Sequence, residues 1–324
     1  MIAASSEGFP RIPLILLPTP IHRLPRLSQE LGVDLWIKRD DLTGFALGGN
    51  KGRKLEYLLA EAAFYKADVV VTCGATQSNF IRQLGAGCAM LGIKCAASVM
   101  DFPYTVPPTS TRSRSQNGNV LLDSILGVEL QFHPDGPWND LYALAEDLAA
   151  RKESQGLRVY RIPVGGSSPL GAYAFTQAAR ELSEQTDPFD WIVTASSSGS
   201  TQTGLTVGFK DSSVKVLGIC SDPEPELVDE FAELANELGL IMGDDQVWTG
   251  EDFALNTDYV GDGYGLPSPA GSAAIERMAR TEGIFLDPIY SGKAFAGLLD
   301  KVAKRELSGR ILFWHTGGMP ALFA

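Results

Sequence analysis

Apolar positions along this chain follow two rhythms. Ala67–Thr72 (ADVVVT), Lys94–Met100, Trp191–Thr194, Val214–Cys220 and Arg310–Trp314 are blocks of strand length, mostly apolar. Longer segments with helical spacing lie between them: Asn79–Leu91, Trp138–Arg151, a helix ending near Glu184, an acidic one at Glu226–Leu238, and Ser272–Gly283. Near the start, Leu27–Leu31 predicts a helix and Asp34–Lys38 a strand, while Asp101–Asn117, rich in proline and hydroxyl residues, predicts a surface excursion. Strands alternating with helices predict an α/β fold with mostly parallel sheets, in which ligands gather at the carboxyl ends of strands.

One helical stripe breaks its own rule. In LGGNKGRKLEYLLAEA, beginning at Leu47, the residues Lys51, Leu55, Leu58, Leu59 and Ala62 recur with the 3.6-residue period, and all but Lys51 are apolar. Asn50 is a candidate N-cap, which puts Lys51 in the first turn. There its charge opposes the positive end of the helix dipole and its stem points at the core. Both effects favour the neutral amine that a Schiff-base lysine needs. The alternative is a surface lysine with its stem laid along apolar neighbours.

Composition narrows the class. The chain has 324 residues and a net charge of -12, with the apolar and charged fractions of a soluble globular protein. The acidic balance speaks against a nucleic-acid partner, and no 18-residue apolar stretch predicts a membrane span. Cys73, Cys88, Cys95 and Cys220 form no C-x-x-C pair, and the three histidines are widely spaced, so neither a zinc site nor a disulfide framework is expected. Together these predict a cytoplasmic protein with reduced thiols.

Two loops at strand ends can seat anions. Ser198-Gly199-Ser200-Thr201 stands between a strand and a helix start, where small residues let backbone N–H groups approach an anion and hydroxyls add donors. It lacks the lysine and glycine spacing of a nucleotide P-loop and suits a single phosphate; the alternative is a turn that only caps its helix. Thr76-Gln77-Ser78-Asn79 repeats the geometry and suggests a substrate carboxylate, with Ser78 adding a hydroxyl and Asn79 able to bond a phenolic oxygen. Ordinary capping is again the alternative. Tyr264 and Tyr290, in glycine- and proline-rich loops, are candidates for acid–base work or for simple packing. A buried-stripe lysine with a phosphate seat and a carboxylate seat points to pyridoxal 5′-phosphate. A non-catalytic nucleotide-binding α/β protein is the rival, but no G-x-G-x-x-G links a strand to a helix near an acidic residue.

The segments GGNKGRKLEYLLAEA, GATQSNFIRQ, SSGSTQTGL, GYGLPSPAG, DPIYSGKAFAGLL and HTGGMPAL resemble, in this order, the D-cysteine desulfhydrase and 1-aminocyclopropane-1-carboxylate (ACC) deaminase family of tryptophan-synthase-β-like, fold type II enzymes. The resemblance runs from about Leu17 to the C-terminus. It implies two open twisted sheets of mostly parallel strands flanked by helices. The cofactor would lie in the cleft between a large domain, 1–47 and 161–324, and a small inserted one, 48–160. It further implies that Lys51 forms the Schiff base and moves protons with Ser78, that Asn79 holds the ring hydroxyl oxygen, and that Ser198, Gly199, Ser200, Thr201 and Lys54 hold the phosphate. Tyr264 and Tyr290 would face a small amino-acid substrate, and the enzyme would be a homodimer.

Three positions subdivide that family. Ser291 and Thr316 carry the hydroxyls of the desulfhydrase branch, where ACC deaminases have Glu and Leu, and a hydroxyl is expected beside the ring nitrogen. Phe80 replaces the His or Gln that typically follows Gln-Ser-Asn; it is expected to line the pocket with Gln77, Ser78 and Asn79 and to alter specificity. The implied activity is β-elimination giving pyruvate and ammonia. ACC deamination and sulfite release from L-cysteate are the alternatives.

Overall fold

A computed structural model describes residues 8–104, 116–224 and 226–324. In chain order the strands and helices are β1 (Ile21–Arg23), α1 (Pro25–Leu31), β2 (Asp34–Arg39), α2 (Lys51–Phe64), β3 (Val69–Ala75), α3 (Asn79–Leu91), β4 (Lys94–Met100), α4 (Gly118–Ile125), β5 (Glu129–Phe132), α5 (Trp138–Ser154), β6 (Val159–Arg161), α6 (Pro169–Gln185), β7 (Trp191–Ser196), α7 (Ser200–Gly208), β8 (Lys215–Cys220), α8 (Leu227–Met242), β9 (Ala254–Asn256), α9 (Pro269–Glu282), α10 (Ser291–Ala303) and β10 (Arg310–His315). The α/β alternation expected from the apolar rhythm is present, with mostly parallel strands in two sheets. Most of the expected surface excursion at 101–117 lies outside the described residues.

The chain divides into two compact units. The first comprises Met1–Ile15, Lys51–Ser167 and Pro320–Ala324, and the second Leu16–Asn50 and Ser168–Met319. Residues 8–15 and 320–324 thus group with the first unit, while the expected division counts them with the larger domain. Side-chain chemistry explains it. The Glu56 carboxylate accepts the backbone N–H groups of Leu14 and Ile15 at 2.8 and 3.2 Å, and Arg11 lies 3.4 Å from its other oxygen. At the far end, Gly118 leaves room for Ala324 and for the Pro320 carbonyl, which a Cβ there would meet at 2.9 and 3.1 Å.

The first unit carries a four-stranded, wholly parallel sheet in the order β5-β4-β3-β6. Val69, Val71 and Cys73 alternate onto the face covered by α5, packing near Leu148, Ala149 and Leu141. The other face meets α3, whose ends are set by the Ser78 side chain accepting from the Ile81 N–H and by left-handed Gly92. The helix α2 is not a simple amphipath: from Gly52 to Ala62 every residue is buried, its charged ones included. Glu56 serves the N-terminal strap, and Glu61 accepts from the Tyr160 hydroxyl at 2.5 Å.

The second unit holds a six-stranded sheet ordered β1-β2-β10-β7-β8-β9, parallel except where β1 pairs with β2. On one face Leu35, Ile37, Val193, Ile219, Ile311 and Phe313 pack with Leu27, Met278, Phe295 and Leu298 from α1, α9 and α10. On the other, α6 and α7 approach so closely that a Cβ on Gly204 would lie 2.1 Å from the Ala172 carbonyl oxygen.

Glu56→Ala should destabilise the protein by about 2–4 kcal/mol, because it leaves two strap N–H groups without their charged acceptor. Glu56→Gln should cost less, since an amide oxygen still accepts. Denaturant unfolding checks this, and equal midpoints for wild type and Glu56→Ala would refute it.

Candidate active site

The chain enters α2 through four consecutive residues with positive φ: Ala46 (47°), Leu47 (64°), Gly48 (76°) and Gly49 (128°). Two of these are not glycine, so the approach to Lys51 is strained. It is held in place by Asp40, whose carbonyl accepts from the Gly49 N–H at 2.9 Å, and by the Thr43 hydroxyl at 3.1 Å. At Gly48 a Cβ would overlap the Asp41 carbonyl oxygen at 1.8 Å. Asn50 then turns the corner. Its N–H donates to the Thr316 carbonyl at 3.0 Å, and its side-chain Nδ2 donates to the Thr201 hydroxyl at 3.0 Å. Three segments predicted to serve one site thus meet at the residue before Lys51.

Lys51 is the first residue of α2, as its spacing predicts. Desolvation brings its ammonium down to about 8, partly offset by a hydrogen bond with the Lys54 amine. Lys54 is fully buried and falls well below the usual lysine value, first through desolvation and then through the Lys51 charge. Its amine donates to the Gly165 carbonyl at 3.1 Å. Two amines side by side in a desolvated place favour either loss of a proton or the arrival of an anion.

In the same unit, β3 ends at Ala75 and delivers Gln77, Ser78 and Asn79 at its carboxyl end. Ser78 caps α3, its Oγ accepting from Ile81, so its own proton remains available to donate. The Gln77 side chain is engaged in holding the start of α4. Its Oε1 accepts the Asn119 N–H at 2.9 Å, and its Nε2 donates to the Asn117 carbonyl at 3.2 Å. Asn79 is half-buried, with its Oδ1 accepting from Arg82 at 2.8 Å and from Asn119 at 3.1 Å. Phe80 differs from expectation. Its ring is 1% exposed and lies against Gly166, where a Cβ would come within 2.8 Å of Phe80 Cε2, so it supports the Val164–Gly166 turn rather than forming an open wall.

The second unit presents the phosphate-seat candidate at the carboxyl end of β7. Gly199 has φ 91°, and a Cβ on it would lie 2.4 Å from the Phe231 ring, so both backbone and space require glycine. Ser200 begins α7, placing its N-terminus at the loop. The Thr201 hydroxyl accepts from Asn50 and keeps its proton for another acceptor. Ser196 Oγ and Thr203 Oγ1, close by in sequence, are buried without a hydrogen-bond partner among the described residues.

Tyr264 and Tyr290 come together: their hydroxyls are 2.5 Å apart and their rings meet edge to face at 6.0 Å. Burial, then Tyr264, then Asp222 and Asp287 push the Tyr290 phenol well above its usual value, so it holds its proton at neutral pH. Ser291 is fully buried and donates to the Asp287 carboxylate at 2.5 Å; that carboxylate also accepts the N–H groups of Ile289, Tyr290 and Ser291. Thr316 follows β10, in a turn that His315 secures. The Gly317 N–H donates to His315 Nδ1 at 3.2 Å, which places the ring proton on Nε2, facing the Phe285 carbonyl at 2.9 Å. A Cβ on Gly317 would sit 2.6 Å from Gly49 Cα. Asp287, Arg82 and Asn119 are not evident from sequence; the one visible signal is Arg82, a helical turn after Asn79.

Over residues 12–317 the sequence matches the family described as pyridoxal-phosphate dependent enzymes, and the chain belongs to that family. It is 43% identical over 328 residues to a D-cysteine desulfhydrase of Yersinia enterocolitica, covering 98% of this chain and 96% of that protein. A D-cysteine desulfhydrase of Salmonella newport is 40% identical over the same shares of each chain. Among solved structures, an ACC deaminase homologue superposes with a TM-score of 0.88 at 36% identity, covering 97% of this chain and 94% of that one.

The residues present fit pyridoxal phosphate. A lysine amine poised near neutrality, a glycine-containing loop at a helix start with a donating threonine, and buried hydroxyls without partners are the groups it calls for. The nucleophile toward the cofactor's aldehyde is the neutral amine, so uptake by apoenzyme should rise with pH through a midpoint near 8. The growth rate of the visible absorption band, followed across pH, measures this; a midpoint near the ordinary lysine value of about 10.4 would count against it.

Proposed function

We propose that this enzyme is a lyase acting on D-cysteine or a close β-substituted D-amino acid by β-elimination. The observation that carries the reading is the convergence on Asn50 of the Lys51 approach, the Thr201 hydroxyl and the Thr316 carbonyl. Identities of 40–43% to D-cysteine desulfhydrases support the substrate class. Bound pyridoxal phosphate supplies an electron sink that acidifies the substrate's α-carbon. Lys51 anchors it, Lys54 and the Ser198–Thr201 segment hold its phosphate, and Asn79 donates to its ring oxygen.

The residues then divide the proton work. Lys51, neutral above about 8, takes the α-proton, and the Ser78 hydroxyl stands beside it to move that proton on. The backbone of the Thr76–Asn79 loop receives the substrate carboxylate. Tyr290, which holds its proton at neutral pH, and its partner Tyr264 hydrogen-bond the departing sulfur. The balance is cysteine plus water giving pyruvate, ammonia and hydrogen sulfide. The enzyme works as a homodimer in the cytoplasm on a free amino acid. Its net charge of -12 is unsuited to nucleic acid, and among the described residues no helix is long and apolar enough to cross a membrane.

ACC deamination is the second reading, favoured by the likeness to an ACC deaminase homologue. The ring nitrogen decides between them. A carboxylate there keeps it protonated and the electron sink strong, which suits opening a cyclopropane with no good leaving group. Here the residues are hydroxyls. The Ser291 proton is taken by Asp287, leaving Thr316 as the direct partner of the nitrogen. A thiolate departs readily and needs less carbanion stabilisation. Incubation with D-cysteine, L-cysteate and ACC, with pyruvate and 2-oxobutanoate measured separately, should give pyruvate from D-cysteine. The ACC rate should be no more than about a hundredth of it. Comparable 2-oxobutanoate production would move the enzyme to the deaminase side, and sulfite with pyruvate from L-cysteate alone would replace the substrate.

A further inference from the structure

Beneath Asn79 lies a polar network that none of the proposed steps uses. Arg82 is 1% exposed, on the first turns of α3, and its Nη1 donates to Asn79 Oδ1 at 2.8 Å and to Asn119 Oδ1 at 2.6 Å. Asn119, fully buried in α4, donates through Nδ2 to the Gln77 carbonyl at 2.8 Å and to Asn79 Oδ1 at 3.1 Å. A guanidinium has only donors, so the Asn79 and Asn119 atoms that it touches are oxygens. That chemistry removes the usual ambiguity of amide orientation. The Asn79 oxygen is turned inward and doubly engaged, and its NH2 group is the part left for a ligand.

The consequence is a sign. An amide able to flip offers either a donor or an acceptor, and against an anionic oxygen the wrong face is repulsive. We propose that Arg82, with Asn119, is a positioning residue that locks the Asn79 amide with its NH2 outward, making it a donor-only partner for the cofactor's ring oxyanion. The inference rests on the cofactor placement proposed above. The buried positive charge behind the amide also draws electron density toward Oδ1 and strengthens the outward N–H donors. Asp123, the acid whose field reaches Arg82, does little to cancel that charge at neutral pH. Both its oxygens are buried without a hydrogen bond among the described residues, and burial pushes its carboxyl up to about 8.

A double-mutant cycle on cofactor binding tests this, read by the dissociation constant of pyridoxal phosphate and the position of the bound cofactor's visible band. Asn79→Ala should weaken binding on the order of tenfold and shift the band. Arg82→Met should do nearly the same, and Arg82→Lys, which still offers only donors, should restore most of the loss. In the Asn79→Ala background, Arg82→Met should add nothing, because Arg82 acts through that amide. Additive losses, or an Arg82→Met protein with wild-type affinity and band, overturn the proposal while leaving the cofactor placement intact. An Asn79→Ala protein with wild-type affinity and band overturns the placement itself, and the proposal with it. If Arg82→Met does not fold, Asn119→Ala takes its place in the same cycle with the same expected non-additivity.

Discussion

Desolvation of two neighbouring amines on the first turn of α2 is the condition around which the Lys51 region is built. In water both would be charged and would repel; in the protein each loses hydration, and the Lys54 amine, engaged by the Gly165 carbonyl, is brought well below the usual lysine value. Lys51 is brought down to about 8, with the Lys54 amine as its hydrogen-bond partner. A carboxylate in contact would make the pair cheaper to bury but would hold the proton on Lys51. The glycine turn at Val164–Gly166 therefore matters to chemistry although it touches none. It supplies a carbonyl, which accepts a hydrogen bond without fixing a full charge.

The same logic explains which parts of the fold are legible from residues alone. The spacing predicts α3 at its observed bounds because both ends carry local signals, Ser78 at the start and Gly92 at the end. α10 escapes notice because its cap comes from outside: Asp287, four residues ahead of Ser291, satisfies the first N–H groups through its side chain. β1, β6 and β9 are three-residue strands defined by their neighbours, and so short a run carries no period. α2 reads as a stripe, yet it is buried on every side, because its charged residues find partners far away in sequence.

At the site, local chemistry is readable and long-range pairing is not. Lys51, Ser78, Gly199 and Thr201 stand where spacing and loop type put them. Gln77 and Phe80 occupy the predicted loop, but what their side chains do depends on segments roughly forty or more residues away: Asn117 and Asn119 for the first, Gly166 for the second. Nothing in GATQSNFIRQ announces those partners. Ser291 is similar, its hydroxyl claimed by an aspartate within the same short motif, so a residue expected to face the cofactor is also a helix-start fastening.

Another buried lysine shows why a lowered pKa alone does not identify a nucleophile. Lys293 is 1% exposed and is also brought down to about 8, by desolvation offset by Asp222, Asp287 and Asp262. By that measure it equals Lys51. Its surroundings differ. The Lys293 amine donates to the carbonyls of Val260 at 2.7 Å and Gly263 at 3.0 Å, fastening the loop that carries Tyr264. Two carbonyls reward the protonated form and fix the nitrogen's direction, so its lone pair has no open approach. Lys51 instead opens its helix, half-buried, beside another amine and after a strained glycine turn. Desolvation lowers both amines alike, and what separates the proposed reactive amine from the fastening one is the kind of atom each is given to touch.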